Sequence, residues 1–314
     1  MSQEFSINGK KVITLGDPHL GKRFQTGVPM HRRGDRELMV QKQFLDHFAN
    51  LPVDTDVHVM MGDLFDRSVV SPDTMALVLD AYEAAVRRCC ETEFILLRGN
   101  HDASRDQEAT TSYDIVARAL HRQPRVMVLQ DRPTDLYAMV FVPWVSHCTS
   151  RELVSGYSQG HYAAAFGHWD IVNPSSDTNM VPTDVLNAEL FITGHDHKRR
   201  TVGDKIIITG SMQPYAHGED WTGEMYRTVT LTELAALGDT SKMCLRVVLG
   251  EDEVLPDDID AFQITVMRQK GDDAPTLEVG FDGLDMNALW KECMEKHGVP
   301  AELSSTLMEQ YRGR

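Results

Sequence analysis

A chain of 314 residues, 42% hydrophobic and 25% charged, is long enough to bury a full core and has the make-up of a globular protein. No stretch approaches the roughly 20 apolar residues of a membrane span, and the opening Met-Ser-Gln-Glu-Phe-Ser-Ile-Asn-Gly-Lys lacks the basic and apolar regions of a signal peptide, so a cytoplasmic protein without membrane contact is expected. The net charge of -16 argues against a protein that coats nucleic acid by general electrostatics, yet it admits a nuclease whose metal-holding carboxylates count as negative until cations bind.

The first half alternates strand-like and helix-like patterns, which predicts an α/β layered core. Lys11 to Gly16 reads as a strand, and Arg36 to Phe48, apolar at Leu38, Met39, Phe44, Leu45 and Phe48, as an amphipathic helix. Asp56 to Met61 is the next strand. Ser71-Pro72-Asp73 opens a helix through Met75, Leu77, Val78, Leu79, Tyr82 and Val86, because Ser before Pro is a favourable helix start. The apolar run Phe94-Ile95-Leu96-Leu97 is a short buried strand stopping at Gly99. A helix follows from Tyr113 to Leu120, then strands at Val126 to Leu129 and Leu136 to Val142. Ala163 to Asp170 places a His just past a Gly, and Lys205 to Thr209 and Arg227 to Leu231 are β-like.

Around Leu234 to Lys242 the composition turns small and polar, which divides the chain into 1–240 and 241–314. The second part reads as a small α+β appendage. It has strands at Leu245 to Leu249, Phe262 to Met267 and Thr276 to Phe281, then helices from Asp285 to His297 and Pro300 to Tyr311. The acidic run from Glu251 to Asp260 reads as a solvated loop. Five cysteines (Cys89, Cys90, Cys148, Cys244 and Cys293), without C-x-x-C spacing, read as reduced, mostly buried thiols.

Chemistry gathers at the strand ends. Leu15-Gly16-Asp17-Pro18-His19, Met61-Gly62-Asp63-Leu64-Phe65-Asp66, Gly99-Asn100-His101-Asp102, Gly167-His168 and Gly194-His195-Asp196-His197 each set metal-capable side chains after an apolar run and a Gly. Asp17 and His19 lie two residues apart, so in an extended segment they point the same way and can grip one ion. Asp63 offers a carboxylate able to bridge two metals, Asn100 a neutral oxygen, and His168, His195 and His197 imidazole nitrogens. Mixed oxygen and nitrogen donors suit manganese, iron or zinc and suit calcium poorly. Each motif alone is commonly a turn or a cap; their shared order and context point to a metal site.

That series resembles the calcineurin-like metallophosphoesterase superfamily. Gly62-Asp63-Leu64-Phe65-Asp66, the closing Gly-His-Asp-His, and Gly210-Ser211-Met212-Gln213-Pro214 followed by Gly218-Glu219-Asp220 are most similar to the SbcD-type DNA repair nucleases and their phage recombination counterparts. The resemblance covers about residues 10 to 220 and implies a layered β-sandwich flanked by helices as a nuclease domain, with 241–314 as a capping and partner-docking segment. It implies one metal held by Asp17, His19, Asp63 and His197, and the other by Asp63, Asn100, His168 and His195, manganese being the expected ion. His101 would serve the departing oxygen, with Asp66 as its orienting partner. The implied activity is hydrolysis of DNA phosphodiesters, as exonuclease and endonuclease, with DNA and an SbcC-like coiled-coil ATPase as partners and a homodimer as the assembly.

Between the first two motifs, Gly21-Lys22-Arg23-Phe24-Gln25-Thr26-Gly27 and His31-Arg32-Arg33-Gly34-Asp35-Arg36 form a basic stretch with one aromatic. Lys22, Arg23, Arg32 and Arg33 read as contacts for a phosphate backbone, or as a solvated loop. Arg67 and Arg98 resemble the phosphate-holding arginines of protein phosphatases in the same superfamily. Arg67 is counted with the nucleic-acid contacts, a plain surface charge being its other reading, and a phosphomonoesterase stands as the alternative function.

Overall fold

Three parallel strands buried on both faces set the architecture. The computed structural model describes residues 2–106, 108–171, 179–220 and 222–269. The strand expected at Thr276 to Phe281 and the helices expected at Asp285 to His297 and Pro300 to Tyr311 lie outside the described residues. The elements below belong to one unit, Met1–Arg268.

The first sheet runs β1 (Ser2–Ile7), β2 (Lys10–Leu15), β3 (Val57–Met60), β4 (Glu93–Leu97), β5 (Val126–Leu129) in spatial order. β1 is antiparallel to β2 and the others are parallel, joined through helices α1 (Asp35–Ala49), α2 (Pro72–Arg88) and α3 (Ser112–Leu120). The second sheet contains β6 (Thr134–Leu136), β7 (Met139–Val142), β8 (Tyr162–Gly167), β9 (Ala188–Thr193), β10 (Arg200–Val202) and β11 (Ile206–Ile208). Its order is β10-β11-β9-β8-β7-β6, with α4 (Ser150–Leu153) in the β7–β8 connection.

Alternation along each strand explains the layering. Val12, Val57, Val59, Ile95 and Leu97 pack against Met139, Phe141, Ala164, Phe166 and Ile192 of the second sheet, with Phe141 and Phe166 stacked at 5.0 Å. The intervening residues Ile13, Leu15, Met60, Phe94 and Leu96 face the helices through Val40, Phe44, Phe48, Val78, Tyr82 and Tyr113. Because both faces are covered, these strands read as continuous apolar runs in the sequence. The expected layered β-sandwich flanked by helices is the fold observed.

Some local readings change. In α1 the buried stripe is Arg36, Val40, Phe44 and Phe48, an i,i+4 row; Leu38 and Leu45 are exposed. The single strand expected from Leu136 to Val142 is an antiparallel hairpin, β6–β7, turning at Tyr137 (φ 53°) and Ala138 (φ 59°) without the Gly or Asn that marks such turns. β1 is a further strand, beyond those that the sequence pattern predicts. α2 starts as expected, with the Ser71 hydroxyl accepting the Thr74 N–H at 3.3 Å.

A third sheet, β12 (Tyr226–Thr230), β13 (Cys244–Leu249) and β14 (Gln263–Arg268), is all parallel and covered by α5 (Leu231–Ala236). The composition change at Leu234 to Lys242 falls inside it, since β12 pairs directly with β13. The sheet also reaches the basic stretch: the Ile264 N–H donates to the Gly27 carbonyl at 2.7 Å, and Gln263 Nε2 to the Thr26 carbonyl at 3.0 Å.

Phe44 is fully buried between the first sheet and α2. Phe44→Ala is expected to lower unfolding free energy by about 3–5 kcal/mol, read as a lower urea midpoint at unchanged slope.

Candidate metal centre

Asp17, Asp63 and Asn100 follow the C-terminal ends of β2, β3 and β4, and His168, His195 and His197 follow β8 and β9. Parallel strands leave such a crevice at their carboxyl ends, where loops from both sheets meet. Three of the loop residues carry left-handed backbones that side chains rarely adopt: His19 (φ 46°), Asp63 (φ 48°) and His195 (φ 71°). Each costs of order 1–3 kcal/mol, held in place by the surrounding packing. Glycine makes the approach possible. A Cβ on Gly99 would lie 2.2 Å from both the amide nitrogen and Oδ1 of Asp63.

Donor atoms converge on two positions. In the first, His19 Nε2 and His197 Nε2 are 2.9 Å apart, with Asp17 Oδ2 3.9 Å from His197 Nε2 and Asp63 Oδ2 3.7 Å from His19 Nε2. In the second, Asn100 Oδ1 is 3.0 Å from both His168 Nε2 and His195 Nδ1, and Asp63 Oδ2 is 3.4 Å from His168 Nε2. Asp63 Oδ2 is common to both. Its Oδ1 is taken by the His101 N–H at 2.8 Å, which fixes the plane of the carboxylate.

The donors fit divalent cations. Asp17 and Asp63 are 0% and 1% exposed, and Asp17 Oδ1 has no hydrogen-bond partner among the described residues. Buried carboxylates left so are costly without a counterion. Burial raises the Asp17 pKa to about 6; in Asp63 the effect of burial is outweighed by His168, which holds that carboxyl below its ordinary range. Burial lowers His19 to about 3, and burial with the charge of His168 lowers His195 to about 4, so both stay neutral, the form that ligates. In His168 burial opposes protonation but the adjoining Asp63 prevails, raising it to about 9.

A surrounding set of contacts aims the rings. His168 Nδ1–H donates to the Met61 carbonyl at 2.9 Å, leaving Nε2 for the centre. His197 Nδ1 lies 3.2 Å from Glu219 Oε1. His101 is exposed, its ring edge-on to His19 at 4.8 Å, and its Nδ1–H donates to the backbone carbonyl of Asp66 at 2.8 Å. Asp66 therefore orients His101 through its main chain. Its carboxylate instead takes Lys22 Nζ at 2.9 Å and Arg67 at 3.2 Å, and faces His19 Nδ1 at 3.7 Å.

The basic residues do not share one place. Lys22, Arg23 and Arg67 line a cavity of about 400 Å³ at the start of α2. Arg32 is committed to the third sheet, bonding the Ser241 carbonyl, pairing with Asp260 at 3.4 Å and lying over the Phe262 ring at 5.2 Å. Arg33 is exposed. Arg98 donates to the Trp144 carbonyl at 3.4 Å and sits 3.9 Å from Asp114.

Asp102 and Glu219 hold places at the centre that the motifs do not assign. Asp102, 0% exposed, accepts the N–H groups of Leu64 (3.2 Å), Phe65 (2.9 Å) and Gly99 (2.9 Å), so it stitches the Asp63 loop to the Asn100 loop. Burial and the neighbouring Asp63 raise its pKa to about 7. Its position at the end of Gly-Asn-His-Asp is the available sequence signal.

The family described as calcineurin-like phosphoesterase matches residues 10–233, more than two thirds of the chain, and the chain belongs to that family. Its activity is metal-dependent hydrolysis of phosphoesters at a dinuclear centre, and the Asp and His clusters above are the matching donors. No curated protein matches the chain.

Two outcomes follow from the shared carboxylate and the charged imidazole. Asp63→Ala is expected to lose most of both metal equivalents together, measured by elemental analysis after gel filtration; retention of one full equivalent would show the bridge is not shared. At pH 7 the metal-free His168, with its pKa near 9, holds a proton that ligation must displace. Manganese affinity is therefore expected to rise from pH 7 to 9 with release of about one proton. Calorimetry in buffers of different ionisation enthalpy measures this.

Proposed function

We propose that this calcineurin-like phosphoesterase cuts DNA: a two-metal nuclease of the SbcD type, exonuclease and endonuclease, acting in recombination and repair. Its proposed setting is the cytoplasm, as a homodimer with an SbcC-like coiled-coil ATPase. The helices expected at Asp285 to His297 and Pro300 to Tyr311 would be the docking surface for that ATPase. No helix among the described residues is long and apolar enough to cross a membrane.

The observation that carries the reading is a cavity of mixed charge, basic at Lys22, Arg23 and Arg67 and acidic at Glu37 and Asp73, linked to His19 through Asp66. Lys22, Arg23 and Arg67 line one cavity, and Lys22 and Arg67 are tied by Asp66 to the His19 side of the metal site. A phosphomonoester presents one phosphate and needs nothing beyond the centre; a polynucleotide carries further phosphates that cations can position. Phe24 of the same loop stacks on Tyr215 at 6.3 Å, and the third sheet braces the loop at Gly27. The phosphatase alternative relies on Arg67 and Arg98, and Arg98 is turned to Trp144 and Asp114, only 17% exposed.

When bound, two divalent cations neutralise charge developing on a phosphodiester and make water acidic enough to attack. Manganese is the proposed ion, on the mixed nitrogen and oxygen donors. The Asp66 carbonyl holds His101 Nδ1–H, which leaves Nε2 on the open side, able to carry a proton to the departing oxygen. Lys22, Arg23, Arg33 and Arg67 would hold the flanking backbone.

The test is turnover of labelled linear duplex, single-stranded DNA and a phosphopeptide by the full chain with manganese. DNA cleavage far above phosphopeptide hydrolysis is expected, and the reverse order would establish the phosphatase. His101→Ala should keep both metals while losing cleavage by about 10²-fold or more. An emptied site in that variant would make His101 a ligand instead.

A further inference from the structure

We propose that Glu219 is a positioning residue that clasps one metal position from two sides, and that it acts on the Asp17–His19–His197 position alone. The inference rests on the dinuclear reading of the centre and adds a residue to it. One Glu219 oxygen, Oε1, faces His197 Nδ1 at 3.2 Å. A carboxylate there demands that Nδ1 carry the proton, so the Nε2 lone pair is turned to the centre, where it lies 2.9 Å from His19 Nε2.

The other oxygen, Oε2, accepts the Tyr215 N–H at 2.7 Å. The Tyr215 hydroxyl in turn donates to the carbonyl of Pro18, the residue between Asp17 and His19. The Tyr215 ring lies edge-on to both His19 (5.2 Å) and His197 (5.7 Å). Through one carboxylate and one phenol, the segment after β11 grips the Asp17–His19 and His197 loops, two of the three that supply this position.

The clasp is itself anchored. Arg36, 2% exposed in α1, donates to the Pro214 carbonyl at 2.9 Å and to the Tyr226 hydroxyl at 2.6 Å, fixing the chain on either side of Glu219. Among the described residues His168 has no such carboxylate, its Nδ1 being satisfied by the neutral Met61 carbonyl, while the charge of Asp170 acts on His195, the second imidazole of that position. Its Asn100 ligand is likewise uncharged. The Glu219 carboxylate contacts His197 and the Tyr215 N–H, so its loss reaches one metal and leaves the other.

Glu219→Gln keeps an oxygen for the Tyr215 N–H and removes the charge facing His197. Titration of the metal-stripped full chain with manganese, followed by electron paramagnetic resonance, reads both equivalents without any DNA. The expected result is a loss of about 10–100-fold in the affinity of one equivalent, the usual scale for such partners, with the other unchanged. Nitrogen-detected spectra of the histidine rings should show His197 leaving the Nδ1–H tautomer. Tyr215→Phe, which cuts the link to Pro18 and leaves the Tyr215 N–H to Glu219, should weaken the same equivalent by a smaller factor. It stands as the test if the Gln variant fails to fold. Unchanged binding of both equivalents in both variants overturns the proposal, and so does equal weakening of the two. A wild-type chain that takes up no divalent metal refutes the dinuclear centre itself, whatever its action on DNA.

Discussion

Two carboxylates, Asp17 and Asp63, are buried where the carboxyl ends of two sheets meet, and the rest of the molecule answers that cost. Burial of paired negative charge is unfavourable in a medium of low dielectric unless cations or many donors compensate. The protein supplies some donors: His195 N–H to Asp17 Oδ2 at 2.9 Å and His101 N–H to Asp63 Oδ1 at 2.8 Å. It leaves Asp63 Oδ2 for the centre, and Asp17 Oδ1 buried with no hydrogen-bond partner among the described residues. The remaining compensation is the task of the metals, which is why a chain of net charge -16 can work on an anionic substrate.

Bringing these groups together requires backbone geometry that ordinary loops avoid. His19, Asp63 and His195 adopt left-handed conformations, and Gly99 leaves room for the Asp63 backbone and carboxylate. Asp102 ties the second and third loops by three main-chain hydrogen bonds, so the strain is shared by a rigid frame rather than by one turn. The two-sheet core behind the loops, centred on Val59, Leu97, Phe141 and Phe166, provides the stiffness.

The third sheet has a function in this frame. It holds Arg32 and Gly27 of the basic stretch, and through Tyr226 and Cys244 it receives Arg36 of α1. The Lys22–Arg23 corner and the Glu219 clasp are thus attached to a common support. On the proposed nuclease reading, such bracing lowers the conformational entropy that the loop would lose when a polyanion arrives.

Much of the centre is legible in the sequence because apolar runs ending in Gly and then Asp, Asn or His are short-range patterns of distinctive chemistry. Asp17, His19, Asp63, Asn100, His168, His195 and His197 group together on those patterns alone, and the α/β layering follows from the alternation of strand and helix periods. The strand β1, the hairpin at Tyr137–Ala138 and the exposure of Leu38 and Leu45 do not: local propensity there is weak and tertiary packing chose the outcome. The atoms that orient the side chains are equally hidden. That Asp66 serves His101 with its carbonyl, that Asp102 binds three backbone N–H groups, and that Arg32 turns to Ser241 depend on partners 35, 38 and 209 residues apart in the cases of His101–Asp66, Leu64–Asp102 and Arg32–Ser241. Sequence records which donors and acceptors exist. Which of them meet is decided only when the sheets close and every buried polar group must find a partner.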